Sequence, residues 1–155
     1  MGAFATNLLT NNGHVAPGAS PGTLTINGNF AQGVAGFFDV EIGTLAANDK
    51  LLINGTAALN GTLALHCFST CSLAIGTELV ILDATGALTG SFAQTALTGF
   101  GSGAFDVVYD RIDNRVLLRV TDTVAAVPES ESYVMMLAGL CLPDWAARRR
   151  KPASA

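Results

Sequence analysis

The sequence predicts an all-β protein whose body is a solenoid of short strands, and three observations lead there. The 155 residues are 50% hydrophobic but only 13% charged, about half the charge of a usual globular domain. Small residues and 17 Gly separate Leu, Val and Ile, which suits repeated tight turns and not a helical bundle rich in Glu, Lys and Arg. A simple phrase also recurs. Gly22-Thr23-Leu24-Thr25-Ile26 is followed by Gly43-Thr44-Leu45, Gly61-Thr62-Leu63-Ala64-Leu65 and Gly76-Thr77-Glu78-Leu79-Val80-Ile81. The glycines step by 21, 18 and 15 residues, and Ile26-Asn27-Gly28 returns 27 residues on as Ile53-Asn54-Gly55. One turn plus one strand per unit is the mark of stacked repeats.

Residues 1–21 are rich in Gly, Asn, Ala and Pro and read as an irregular lead-in with consecutive turns. Met1 to Asn12 has no basic residue and no long apolar run, so it is not a leader peptide. No N-terminal cap is visible. Both features fit a piece of a longer exported protein, or a decayed gene.

Residues 22–121 form the body. Phe38, Val40 and Ile42 alternate with Asp39 and Glu41, as a half-buried strand should. Leu63 and Leu65 share a face. Phe105, Val107 and Tyr109, then Val116, Leu118 and Val120, flank the turn-prone Asp113-Asn114, which predicts an antiparallel hairpin that caps the body. Arg111, Arg115 and Arg119 fall on its solvent face beside Asp106, Asp110 and Asp113, where they protect an edge.

Charge excludes one class of partner. Residues 1–127 carry Lys50, Arg111, Arg115 and Arg119 against nine acids, a balance of −5. Such a surface releases no counterions from a phosphate backbone, so nucleic acid is not a partner. Cys67 and Cys71, four apart, suit a small loop disulfide if the body is extracellular, or free thiols. With His66 they give three metal ligands at most, and structural zinc wants four. No cofactor motif is present. Asp39 and Glu41 form a carboxylate pair by position, but alternation alone explains them. No Ser/His/Asp set appears, and Gly99-Phe100-Gly101-Ser102-Gly103 precedes a strand, not the helix a phosphate loop needs. The sequence therefore predicts a protein that is not an enzyme.

The C-terminal segment is organised differently. A linker at 122–131 contains Val127-Pro128-Glu129-Ser130. Residues 132–151 then hold an apolar run, read as a short helix, and a basic cluster. The run contains Tyr133, Val134, Met135, Met136, Leu137, Leu140 and Leu142, with Trp145 beyond it, and the cluster is Arg148, Arg149, Arg150 and Lys151. Apolar residues followed by a basic cytoplasmic stop form a stop-transfer arrangement. The stretch 133–142 is ten residues long where a stable span needs about 20, and Pro143-Asp144 ends it, so a transient membrane address fits better than a durable anchor.

Two resemblances follow from these residues. The stretches 15–28, 48–63 and 81–92 resemble the passenger-associated repeats of autotransporter proteins. That implies a right-handed parallel β-helix with an adhesive or structural role at the cell surface. The order Val127-Pro128-Glu129, apolar run, basic cluster resembles the PEP-CTERM sorting signal of Gram-negative bacteria, with Ser130 in place of the family's proline. It implies recognition by an exosortase-type processing enzyme, transient contact with the inner membrane, and release to the surface or an exopolysaccharide matrix. The alternative is a secreted carbohydrate-binding β-sandwich with the same tail. It is weakened by a body with no Trp and only Tyr109 beside its Phe residues.

Overall fold

A computed structural model describes residues 1–18, 21–43, 47–68, 71–100 and 105–122 of the chain. These form twelve strands and no helix: β1 (Gly2–Asn11), β2 (His14–Val15), β3 (Thr23–Gln32), β4 (Phe37–Ile42), β5 (Lys50–Ile53), β6 (Ala57–Leu59), β7 (Thr62–Cys67), β8 (Glu78–Ala84), β9 (Leu88–Gly90), β10 (Gln94–Thr98), β11 (Phe105–Asp110) and β12 (Arg115–Val120). The linker, the apolar run and the basic cluster lie outside the described residues, as does the short C-terminal helix read there.

Two sheets result. The larger has eight strands in the order β11-β12-β8-β5-β3-β6-β9, with β1 also on β3, and the smaller is β10-β7-β4-β2. Within each, successive chain passes stack in parallel. Gly2 pairs with Leu24, Thr23 with Lys50 and Leu51 with Leu82, offsets of 22, 27 and 31 residues. In the smaller sheet His14 pairs with Phe37, Phe37 with Thr62 and Thr62 with Gln94.

Alternation puts apolar side chains between the sheets. Phe38, Val40 and Ile42 from β4 and Leu63 and Leu65 from β7 share one buried cluster with Ile26, Phe30, Leu51, Ile53, Ile81, Leu118 and Val120 of the larger sheet. Each such side chain contributes about 1.5–3 kcal/mol through burial. The turns stack as well. Gly28, Gly55 and Gly86 lie one above another, and a Cβ on Gly55 would strike the Gly28 carbonyl. Only a residue without a side chain permits that approach. Beside this column Asn54 Nδ2 donates to Asn27 Oδ1 at 2.6 Å.

The right-handed parallel β-helix implied by the autotransporter-like stretches does not form. The larger sheet is mixed in direction and curls into something closer to half a barrel than a stack of equivalent rungs. The cause lies at the C-terminal end of the body. β11 and β12 pair antiparallel, from Phe105 opposite Val120 to Asp110 opposite Arg115. β12 then joins β8 antiparallel, with Leu118 opposite Leu79. Because Val116, Leu118 and Val120 face inward like the β8 residues, the hairpin continues the sheet in its own plane and does not lie across its end as a cap. The growing offsets also make each pass longer than the last, so the passes are not copies of one rung.

Residues 1–21 differ from their reading too. The lead-in is not irregular: it contains β1 and β2. Its uncharged residues carry little alternation of their own, and a bulge between Ala5 and Leu8 shifts the pattern midway. What makes β1 a strand is the main-chain ladder that β3 offers it.

Candidate functional site

The densest set of polar side chains outside the hairpin lies on the outer face of the smaller sheet. In β4 the residues between the buried Phe38, Val40 and Ile42 must point outward, which places Asp39 and Glu41 there. The neighbouring strands bring a histidine from each side. His14 Nδ1 donates to Asp39 Oδ2 at 2.8 Å, and His66 Nε2 lies 3.7 Å from Asp39 Oδ1. The His14 ring stacks on Phe37, with centroids 4.6 Å apart and planes 9° from parallel. Asp39 is thus flanked by two imidazoles, each of which becomes a cation on protonation.

Asp49 completes the rim from beneath. It is buried, and its carboxylate accepts the Gly22 amide at 2.6 Å and the Glu41 amide at 3.0 Å. Its role is to tie the entry of β3 to β4. Asp39, Glu41, Asp49 and His66, with Ala16 and Gly18, line a shallow cleft of about 320 Å³. No Ser, Thr or Cys lines it, so it has no nucleophile for covalent catalysis. Among the described residues no group of three or more His, Cys, Asp or Glu is arranged to hold a metal ion. Its chemistry is hydrogen bonding and charge: carboxylates that accept from hydroxyls or cations, beside imidazoles that donate or accept.

The structure joins Cys67 and Cys71 in a disulfide. This removes both sulfurs from the metal ligands considered with His66. Asp39 and Glu41 are on one face of one strand, but Asp39 is engaged by histidines, so the two do not form an unencumbered acid–base pair.

At the hairpin the arginines divide their work. Arg115 pairs with Asp110 at 3.3 Å and more closely with Asp113, while Arg119 grips Glu78 of β8 at 2.8 and 2.9 Å. Arg111 turns away from the acids and donates to the carbonyls of Leu88 and Gly90 at 2.9 and 2.8 Å. Backbone amides of Asp113 and Ile112, then the Arg115 guanidinium, hold the Asp110 carboxyl below its usual range. Burial pushes the Tyr109 hydroxyl up, although it accepts the Phe92 amide at 3.0 Å.

Sequence reasoning set His14 aside as distant, and so missed its meeting with Asp39 and His66. One signal was available: the 27-residue recurrence, applied to Asp39, arrives at His66. The sorting motif (Val127, Pro128, Glu129), the membrane-interacting residues from Tyr133 to Trp145 and the basic stop from Arg148 to Lys151 all lie outside the described residues. Among those described, no helix is long and apolar enough to cross a membrane. No protein-family model matches the chain, and no curated protein sequence matches it. The sorting-signal resemblance therefore rests on the residues themselves.

Proposed function

We propose that the chain is an exported bacterial surface or matrix protein with a structural or adhesive role, carrying a C-terminal sorting signal read by an exosortase-type enzyme. The observation that carries the reading is the Cys67–Cys71 disulfide. Structural disulfides persist outside the reducing cytosol, and a weakly charged body with no nucleophile in its polar cleft asks for no catalytic role. The order of Val127-Pro128-Glu129, the apolar run and Arg148 to Lys151 supports the address. The inner membrane is met in transit, and exopolysaccharide is the surrounding matrix.

The chain, placed behind a secretory signal with an N-terminal epitope, is expressed with and without exosortase. The expected result is loss of the mass of the segment after Val127 only in the exosortase-bearing host, with the product released from the membrane. Full-length, soluble protein in both hosts would overturn the reading.

A second reading has its own support in the cleft. Carboxylates of Asp39 and Glu41 beside His66 and a stacked His14–Phe37 pair are groups that hold sugar hydroxyls and a sugar face. Carbohydrate binding by this module predicts retention on a polysaccharide matrix that Asp39→Asn with Glu41→Gln abolishes. Equal retention of the variant would remove this reading.

A further inference from the structure

The stacked columns of the larger sheet end abruptly on one side. Phe4, Ile26, Ile53 and Ala84 occupy successive positions of one inward-facing column. Their exposures are 55%, 0%, 1% and 4%. Phe4 thus has the inward orientation of a core residue and the exposure of a surface one. With Leu9, Val15 and Leu24 it lines an open hollow of about 320 Å³ at this end of the core. Among the described residues β1 pairs only with β3, so the other edge of a ten-residue strand is unoccupied. The usual guards of an edge are charge, proline or shortness. None is present: no Asp, Glu, Lys or Arg occurs before Asp39.

We propose that this end is a self-association surface, on which a second copy of the chain pairs its β1 antiparallel with the first about a two-fold axis. The arrangement supplies each Phe4 with the inward layer its column lacks and gives each free edge a ladder. Charge selects the occupant. Two β1 ends bring together surfaces with no charged side chain, so nothing is desolvated unpaired. Head-to-tail docking would instead place β1 against β11, whose Asp106 and Asp110 would meet no cation from residues 1–38. An isologous contact also closes at two copies and does not grow into a fibre. The proposal stands independently of the export reading.

The test is the mass in solution of the purified full chain across about a hundredfold range of concentration. It is compared with Phe4→Lys at this end and Asp106→Lys at the other. The expected result is a mass that doubles with concentration for the chain and for Asp106→Lys, and stays at one copy for Phe4→Lys. A single copy at every concentration would overturn the proposal, including the case in which a preceding segment of a longer chain covers β1. So would doubling that survives Phe4→Lys, or masses that grow past two copies and are lost in Asp106→Lys. If Phe4→Lys loses its β-sheet circular dichroism, Ala5→Cys decides. Oxidation yields a linked dimer above the wild-type background if β1 strands meet, and no excess if they do not.

Discussion

The two outer strands of the larger sheet, β1 and β11, solve the problem of an edge in opposite ways. β11 belongs to a hairpin that carries Asp106, Asp110, Arg111, Asp113, Arg115 and Arg119 within fourteen residues. These charges are engaged. Arg119 ties the hairpin to Glu78 of the next strand, and Arg111 occupies two carbonyls at the β9 end. Behind them Val116, Leu118 and Val120 are fully buried. β1 has the same length of ladder to its neighbour but no charge, and its inward Phe4 is more than half exposed. The difference teaches that an edge is finished by local sequence, not by the sheet. A turn that reverses the chain and a few paired charges make β11 self-sufficient, whereas β1 depends on what lies beside it.

The largest effect that would test this contrast comes from truncating one inward side chain at each edge. Leu118→Ala removes a fully buried side chain from the guarded side and should cost about 2–5 kcal/mol. Phe4→Ala, at concentrations where the chain is a single copy, should cost less than about 1 kcal/mol despite the larger group removed. The midpoints of urea unfolding give both values. Similar losses would mean that the β1 end is buried by something in the monomer and that the contrast is false.

A smaller effect separates turn from packing. Asn114 closes the hairpin with φ of 54°, and its Oδ1 accepts the Leu88 amide at 3.2 Å. Both Asn114→Gly and Asn114→Ala lose that bond, but only Ala is strained at positive φ. Ala should therefore be the less stable by about 1 kcal/mol. Equal stabilities would show that the turn is not what reverses the chain here.

The same contrast explains what could be read from sequence. The hairpin was legible because its signals are local: period-two alternation on both sides of Asp113-Asn114. The 27-residue recurrence was equally legible, and Ile26 does lie against Ile53 in the structure. The glycine steps of 21, 18 and 15 misled, because Gly22, Gly43, Gly61 and Gly76 open phrases that do not pair with one another, while the glycines that stack are Gly28, Gly55 and Gly86. β1 was illegible because nothing in Gly2–Asn11 marks a strand without β3 beside it. The polar cleft was hidden for a related reason: His14, Asp39 and His66 meet only across three strands in parallel register, a relation no single window contains. The continuous parallel helix failed because direction is a property of the connection, and one tight turn at Asp113-Asn114 was enough to reverse it.

Of the hairpin's charges, Arg119 and Glu78 are well placed yet exposed, and exposed pairs are worth little. A double-mutant cycle of Arg119→Ala and Glu78→Ala should give a coupling of about 0.2–1 kcal/mol that fades as salt is raised. A coupling that persists in concentrated salt would mean that this pair, and not the apolar column behind it, secures β12 to β8.

The finest test uses pH, because only the guarded edge carries a carboxylate with a displaced titration. The Asp113 amide, the Ile112 amide and Arg115 favour the charged form of Asp110 in the folded hairpin, so its folded pKa lies below its unfolded one. The sign follows: this stabilisation is present above the unfolded value of about 4 and is lost as pH falls through the folded one. Melting temperatures of the wild type and Asp110→Asn should therefore differ at neutral pH and converge on acidification below about pH 4. Residues 1–38 contain no carboxylate, so no acid-range change in stability can arise from an Asp or Glu within the β1 end itself. If the difference between the two proteins stayed constant from neutral to acid pH, the Asp110 turn would be holding the hairpin by shape alone, and charge would no longer distinguish the two edges.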